Sequence, residues 1–202
     1  MKNLKTLLAI VVIVAITSSA FGQKLKVKEG NLDFLSGVSS LKLEYTYDNM
    51  KVGKYDEATY VEKKKEDYNK KEAGKGDTWV ENWVNDREKR FEPKFEQLFS
   101  KYLEKADVDA SPNEDAEYTL IIHTYFTEPG YYIGISSAPA MINSEAIFVK
   151  SGNHDKVLCL IDMKKAPGNS GAGFDTGERI KEAYAKTGKT LAKFLIKKKA
   201  FK

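Results

Sequence analysis

Residues 118 to 127, YTLIIHTYFT, constrain this chain most: ten consecutive positions rich in β-branched and aromatic side chains. Such a run is too short to cross a membrane as a helix and reads as a central, two-sidedly packed β-strand. It ends in Thr127-Glu-Pro-Gly130, where Pro129 fixes φ and Gly130 accepts a positive φ, the pattern of a type II turn. A central strand needs neighbours. Leu41, Leu43, Tyr45 and Tyr47 alternate with polar residues at the period of a half-buried strand. Ala146–Lys150 and Lys156–Met163 read as two strands joined by a hairpin over Ser151–Asp155. Lys24–Lys28 alternates briefly before Gly30 turns the chain, and Ile133–Ser136 is a short strand-like piece.

Helical periodicity fills the gaps. Tyr55–Lys71 is charged and helical, with Ala58, Val61 and Tyr68 too sparse to bury much. Gly74 and Gly76 break it, and Asp77 is placed to cap a second helix. There Trp79, Val80, Trp83, Val84 and Phe91 recur on one face, and beyond Pro93 the stripe continues through Phe95, Leu98, Phe99, Tyr102 and Leu103. Aromatics at this spacing read as core rather than as a ligand platform. A last helix over 176–198 turns Ile180, Ala183, Tyr184, Leu191, Phe194 and Leu195 inward, with Asp175 and Glu178 at capping-box spacing. The expected fold is a single α+β domain over residues 23–202. It has a mostly antiparallel sheet of four or five strands, a long helical insertion after the first main strand, and a C-terminal helix.

The N-terminus predicts export. Lys2 and Lys5 precede an apolar stretch from Leu7 to Ile16, and Ala20-Phe21-Gly22 has the small-x-small spacing read by signal peptidase, so residues 1–22 form a signal peptide. With no cysteine near the cleavage point there is no lipid attachment, and the product is expected to be soluble, without a membrane anchor, in the periplasm or secreted. The 33 Lys and Arg are interspersed with 29 Asp and Glu, which argues against a nucleic-acid surface. A lone cysteine, Cys159, in an apolar run excludes an intramolecular disulfide and a cysteine metal cluster, and reads as a buried thiol.

Motifs that would carry chemistry fail on inspection. Asp107-Val-Asp109-Ala-Ser111-Pro112-Asn113-Glu114-Asp115 begins like a calcium loop, yet Pro112 stands where Gly must turn the chain and Tyr118 where a bidentate Glu belongs, so 107–117 reads as a solvated acidic loop. Gly188-Lys189-Thr190 lies inside a helix and cannot form a phosphate cradle. Gly171-Ala-Gly173 lacks the spacing of a dinucleotide loop, Asp175-Thr-Gly177 is explained by capping, and Gly168-Asn-Ser-Gly171 lacks the closing glycine of a hydrolase elbow. The two histidines, His123 in a strand and His154 in a hairpin, have no partner carboxylate that the sequence identifies. No catalytic residue, metal site or cofactor is assigned.

Residues 115–198, with the strand AEYTLIIHTYF and the helix RIKEAYAKTGKTLAKFLIKK, resemble the small exported α+β domains that include the N-terminal domain of TolB, the curli-secretion lipoprotein CsgG and the outer-membrane lipoproteins that activate penicillin-binding proteins. The segments LEYTYDNMKVGKYDEATYVEKKK and WVENWVNDREKRFEPKF look more like an uncharacterised family of secreted bacterial proteins. The chain departs from the lipoproteins in lacking their anchoring cysteine. Together these features imply a soluble binding protein of a Gram-negative cell envelope, its partner another envelope protein or a glycan. A carboxylate-dependent hydrolase is the alternative. The contact residues expected are Tyr131, Tyr132, Ser136, Ser137 and Met141: adjacent tyrosines on a strand point to opposite sides, so at most one can enter the core. Mass spectrometry of the exported protein should find Gln23 as the first residue; a start beyond Lys24, or an intact leader, would contradict the cleavage assignment.

Overall fold

The strands found are β1 (Lys24–Gly30), β2 (Ser40–Thr46), β3 (Lys51–Val52), β4 (Tyr55–Asp56), β5 (Asp109–Ser111), β6 (Tyr118–Glu128), β7 (Tyr131–Tyr132), β8 (Ser137–Ala138), β9 (Met141–Lys150) and β10 (Asn153–Pro167). The helices are α1 (Glu57–Asn69), α2 (Lys75–Asp86), α3 (Glu92–Leu103) and α4 (Thr176–Lys197). This computed structural model describes residues 22–169 and 174–202; the leader expected over 1–22, apart from Gly22, and part of the Pro167–Gly173 loop lie outside the described residues.

Eight strands form one mixed sheet in the order β1-β10-β9-β6-β2-β5, with β3 pairing with β6 beyond the end of β2 and β4 folded back on β3. The expectation of four or five mostly antiparallel strands is therefore corrected. β2 runs parallel to both β6 and β5, and β3 runs parallel to β6, while β1, β10, β9 and β6 pair antiparallel. The cause is the helical insertion itself: a crossover of that length returns the chain in its original direction, as parallel pairing requires. β3, β4 and β5 are two or three residues long, too short to show a period, and β5 comes out of the acidic loop that reads as solvated.

The long strands bury alternate residues. Leu41 and Leu43 of β2, Leu120 and Ile122 of β6, Ile142, Ala146 and Phe148 of β9, and Cys159, Ile161 and Met163 of β10 share a core with Phe95, Phe99 and Leu103 of α3 and Ile180, Tyr184, Leu191 and Leu195 of α4. Phe91 stacks on Tyr184 with centroids 5.1 Å apart and rings 7° from parallel. The opposite face carries the half-buried rung Ile121–Ile147–Leu160 and beside it His123–Glu145–Asp162. There Asp162, buried, accepts from the Tyr125 hydroxyl at 2.9 Å and lies 3.4 Å from Lys164. His123 meets Thr46 at 3.0 Å, and His154 lies 3.2 Å from Glu44, a pairing invisible in the sequence because it joins β10 to β2.

The helices begin and end for local reasons, not all of them expected. Asp56 caps α1 by accepting from the Thr59 amide at 2.8 Å, and no residue of α1 is buried. Gly74, not Asp77, caps α2; Asp77 sits in the first turn and pairs with Lys65 at 3.0 Å. The chain does not break at Pro93, because a π turn over Arg87–Phe91 leads directly into α3 and Pro93 occupies its first turn, where no backbone donor is needed. Asp175 caps α4 through the Glu178 amide at 3.2 Å. Tyr45 and Tyr47 of β2 donate to Glu96 and Glu92 of α3 at 3.1 and 3.0 Å; burial pushes both carboxyls above their usual range, with neighbouring carboxylates adding to it at Glu92.

Cys159 is fully buried, and burial pushes its thiol up to about 11. A thiol reagent should therefore modify the native protein slowly and the denatured protein fast; equal rates would remove the β10 core assignment.

Candidate functional site: an aromatic groove at one end of the sheet

The polar helix α1 keeps two tyrosines, Tyr60 and Tyr68, on the side facing α2, and α2 answers with Trp79 and Trp83 one turn apart. Tyr68 stacks on Trp79 (5.8 Å, 25°) and Trp79 on Trp83 (5.5 Å, 23°), while Tyr60 meets both indoles more steeply. Only Trp83 is core: its indole N–H donates to Glu57 at 2.6 Å, Glu57 also pairs with Arg87, and the Arg87 guanidinium lies 4.3 Å over Tyr47. The expectation that the stripe is core holds at Trp83, Phe91, Phe95, Phe99 and Leu103, and not throughout. Trp79 is half-buried, and Val84 is 50 % exposed.

Trp79 borders three cavities. One, about 620 Å³, lies along the α1–α2 turn between Tyr68, Gly74, Lys75 and Asn82. A second, about 250 Å³, reaches Asp86, Arg90, Phe174 and Asp175. A third, about 250 Å³, is closed by Pro129, Gly130, Tyr131, Tyr132, Phe174 and Arg179. The groove thus joins α1 and α2, the turn after β6, and the start of α4.

The Thr127–Gly130 turn positions its tyrosine side. Gly130 has φ +64°, and a Cβ there would fall 2.4 Å from the Ala138 carbonyl, so no other residue fits the turn. Beyond it, Tyr131 and Tyr132 pair with Ala138 and Ser137 in a separate two-stranded ribbon, where the sequence suggested a strand over 133–136. Tyr131 is 47 % exposed and bonds Ser136 at 3.0 Å; Tyr132 is half-buried and meets Phe174 edge-on at 5.0 Å. Neither enters the core, and both border the third cavity. Ser136 touches the groove only through Tyr131, whereas Ser137, in β8, and Met141, at the start of β9, do not line these cavities. The ribbon tip carries Ile133 and Ile135, 62 % and 97 % exposed, and Phe174 is 77 % exposed.

Two arginines, Arg90 and Arg179, are among the charged residues that line the groove. Arg90 bonds Asp86 at 2.9 Å and Asp175 at 2.8 Å. Burial pushes the Asp86 carboxyl up against the pull of Arg90. At Asp175 burial acts the same way, but hydrogen bonds from Arg90 and the Glu178 amide outweigh it and hold the carboxyl below its usual range. Arg179, buried, donates to the Pro129 carbonyl at 3.2 Å and to Thr176 at 3.0 Å, fastening the turn to α4, and burial lowers its pKa. Tyr60, Tyr68, Phe174 and Arg179 are site residues that the sequence did not single out. The available signal was two tyrosines on a helix too polar to bury them.

No protein-family description matches the chain, and no curated protein matches it. Among solved structures, a PelC dodecamer from Paraburkholderia phytofirmans aligns at 10% identity over 86% of this chain and 95% of that chain, with a TM-score of 0.37. A second PelC dodecamer from the same organism aligns at 9% identity over 81% of this chain and 95% of that one, with a TM-score of 0.35. These neighbours are distant and do not establish the likeness to the TolB, CsgG and activator domains.

Trp83→Ala removes a buried indole and the donor to Glu57, and should cost about 3–5 kcal/mol in chemical denaturation. Phe174→Ala, at an exposed position, should stay within about 0.5 kcal/mol. An unchanged midpoint for Trp83→Ala would move Trp83 out of the core.

Proposed function

We propose that this protein is an exported, soluble binding protein of the bacterial cell envelope and that the aromatic groove with the Tyr131–Ala138 ribbon is its contact surface. One observation carries the reading: Tyr131, Ile133, Ile135 and Phe174, four of the large apolar side chains most exposed among the described residues, all belong to the ribbon or to the residue packed on it. Of the two partners considered, another envelope protein fits better than a glycan. Sugars stack on open ring faces, and Trp79 is already stacked against both Tyr68 and Trp83. Aliphatic side chains at a ribbon tip suit an apolar pocket on a protein. The resemblance of residues 115–198 to the TolB, CsgG and penicillin-binding-protein-activator domains belongs to this proposal and points to the same compartment.

The alternative, a carboxylate-dependent hydrolase, rests on Asp86 and Asp175 beside one cavity, with Asp86 shifted toward protonation. Arg90 holds both carboxylates and Asp175 is already occupied as a helix cap, which favours a structural role for the pair.

The test compares capture from an envelope extract by the wild type and by a Tyr131→Ala, Tyr132→Ala, Ile135→Ser variant. Loss of a captured protein with the thermal midpoint kept supports the reading. Unchanged capture rejects it, and binding on a glycan panel that the variant loses moves the partner to a glycan.

A further inference from the structure

Far from the groove, on the outer side of the helix pair, Tyr102 of α3 is surrounded by ammonium groups. Lys193, Lys189 and Lys105 place their Nζ atoms 5.1, 5.5 and 5.6 Å from its ring centroid. Packing of α3 on α4 creates the gathering. A Cβ at Gly188 would stand 2.4 Å from the Phe95 carbonyl and 3.2 Å from the Phe99 amide, so the helices cross almost in backbone contact there. That approach carries the next residue of α4, Lys189, and Lys193 one turn on, over Tyr102, which lies one turn beyond Phe99. Lys105 follows Tyr102 by three residues on the same face.

Three like charges drawn to one ring repel one another, and a cation–π contact worth about 0.5–1 kcal/mol at exposed sites does not offset that for three at once. The acids that relieve lysines elsewhere are missing here: none of the three forms an ion pair among the described residues. The three ammonium groups are donors only, and the phenol between them accepts from Lys189, which draws its pKa down. No arginine contributes, so the array acts through clustered point charges rather than a planar fork, as lysines do where they bind phosphate. A compact polyanion with several acceptor oxygens suits it.

We propose that Tyr102, Lys105, Lys189 and Lys193 form a binding site for a phosphate group carrying more than one negative charge, a phosphate monoester or a pyrophosphate. The site is independent of the groove, and the failure of either assignment leaves the other standing.

Calorimetric titration of the purified protein with pyrophosphate tests it, with acetate at matched ionic strength as the control. Saturable binding of pyrophosphate and not of acetate is expected. Lys189→Gln, at a half-buried position, and Lys193→Gln, at an exposed one, should each weaken it about tenfold, the effect of removing one charge-assisted hydrogen bond. Tyr102→Phe should weaken it less, and the Tyr131→Ala, Tyr132→Ala variant should bind normally. Co-sedimentation with phosphatidylcholine vesicles, with and without phosphatidate, then identifies the source of the phosphate: lysine-dependent binding to phosphatidate vesicles assigns a lipid headgroup, and pyrophosphate binding alone assigns a soluble ester. Absence of binding to both probes, or equal affinity in the wild type and the lysine variants, overturns the proposal.

Discussion

Parallel hydrogen bonding between β2 and β6 is the constraint on which this architecture rests. A strand that continues parallel to its predecessor obliges the intervening chain to travel back along the sheet, and here that chain is α1, α2 and α3. The return path supplies the aromatic side of α3, which with α4 closes the core, and it leaves α1 and α2 as an outer pair held by their own stack. Polar bonds tie this excursion to the strands, since Tyr45 and Tyr47 reach α3, and another fastens α4, whose Tyr184 hydroxyl meets Thr124 of β6 at 2.9 Å.

Much of the core was legible because its periods are long. Alternation over β6 and the stripes of α3 and α4 span enough residues to separate a repeat of two from one of 3.6. Strand direction was not legible, since alternation is the same in parallel and antiparallel ladders. β3, β4 and β5 escaped because pairing, not composition, makes two or three residues a strand. Asp77 misled because capping preference names several residues and Gly74 met the backbone requirement first.

The groove divides in the same way. Tyr131 and Tyr132 were legible as surface residues because adjacent strand positions cannot share a face. Tyr60, Tyr68, Phe174 and Arg179 belong to segments far apart in sequence, and only the closure of the sheet end brings them to the same cavity. Trp79 and Trp83, alike in the sequence, part company in the structure: one indole N–H found the half-buried Glu57 carboxylate, and the other ring was left at the rim.

The place of β1 has a kinetic consequence. Among the described residues this strand pairs only with β10, Leu25 opposite Met163 and Val27 opposite Ile161. A chain that emerges N-terminus first therefore carries β1 without its partner until nearly all of the sheet has been made. Loop-closure entropy makes such a late, long-range docking slow. Lysines at positions 24, 26 and 28 keep the waiting strand charged, a protection against pairing with the wrong edge in the interval.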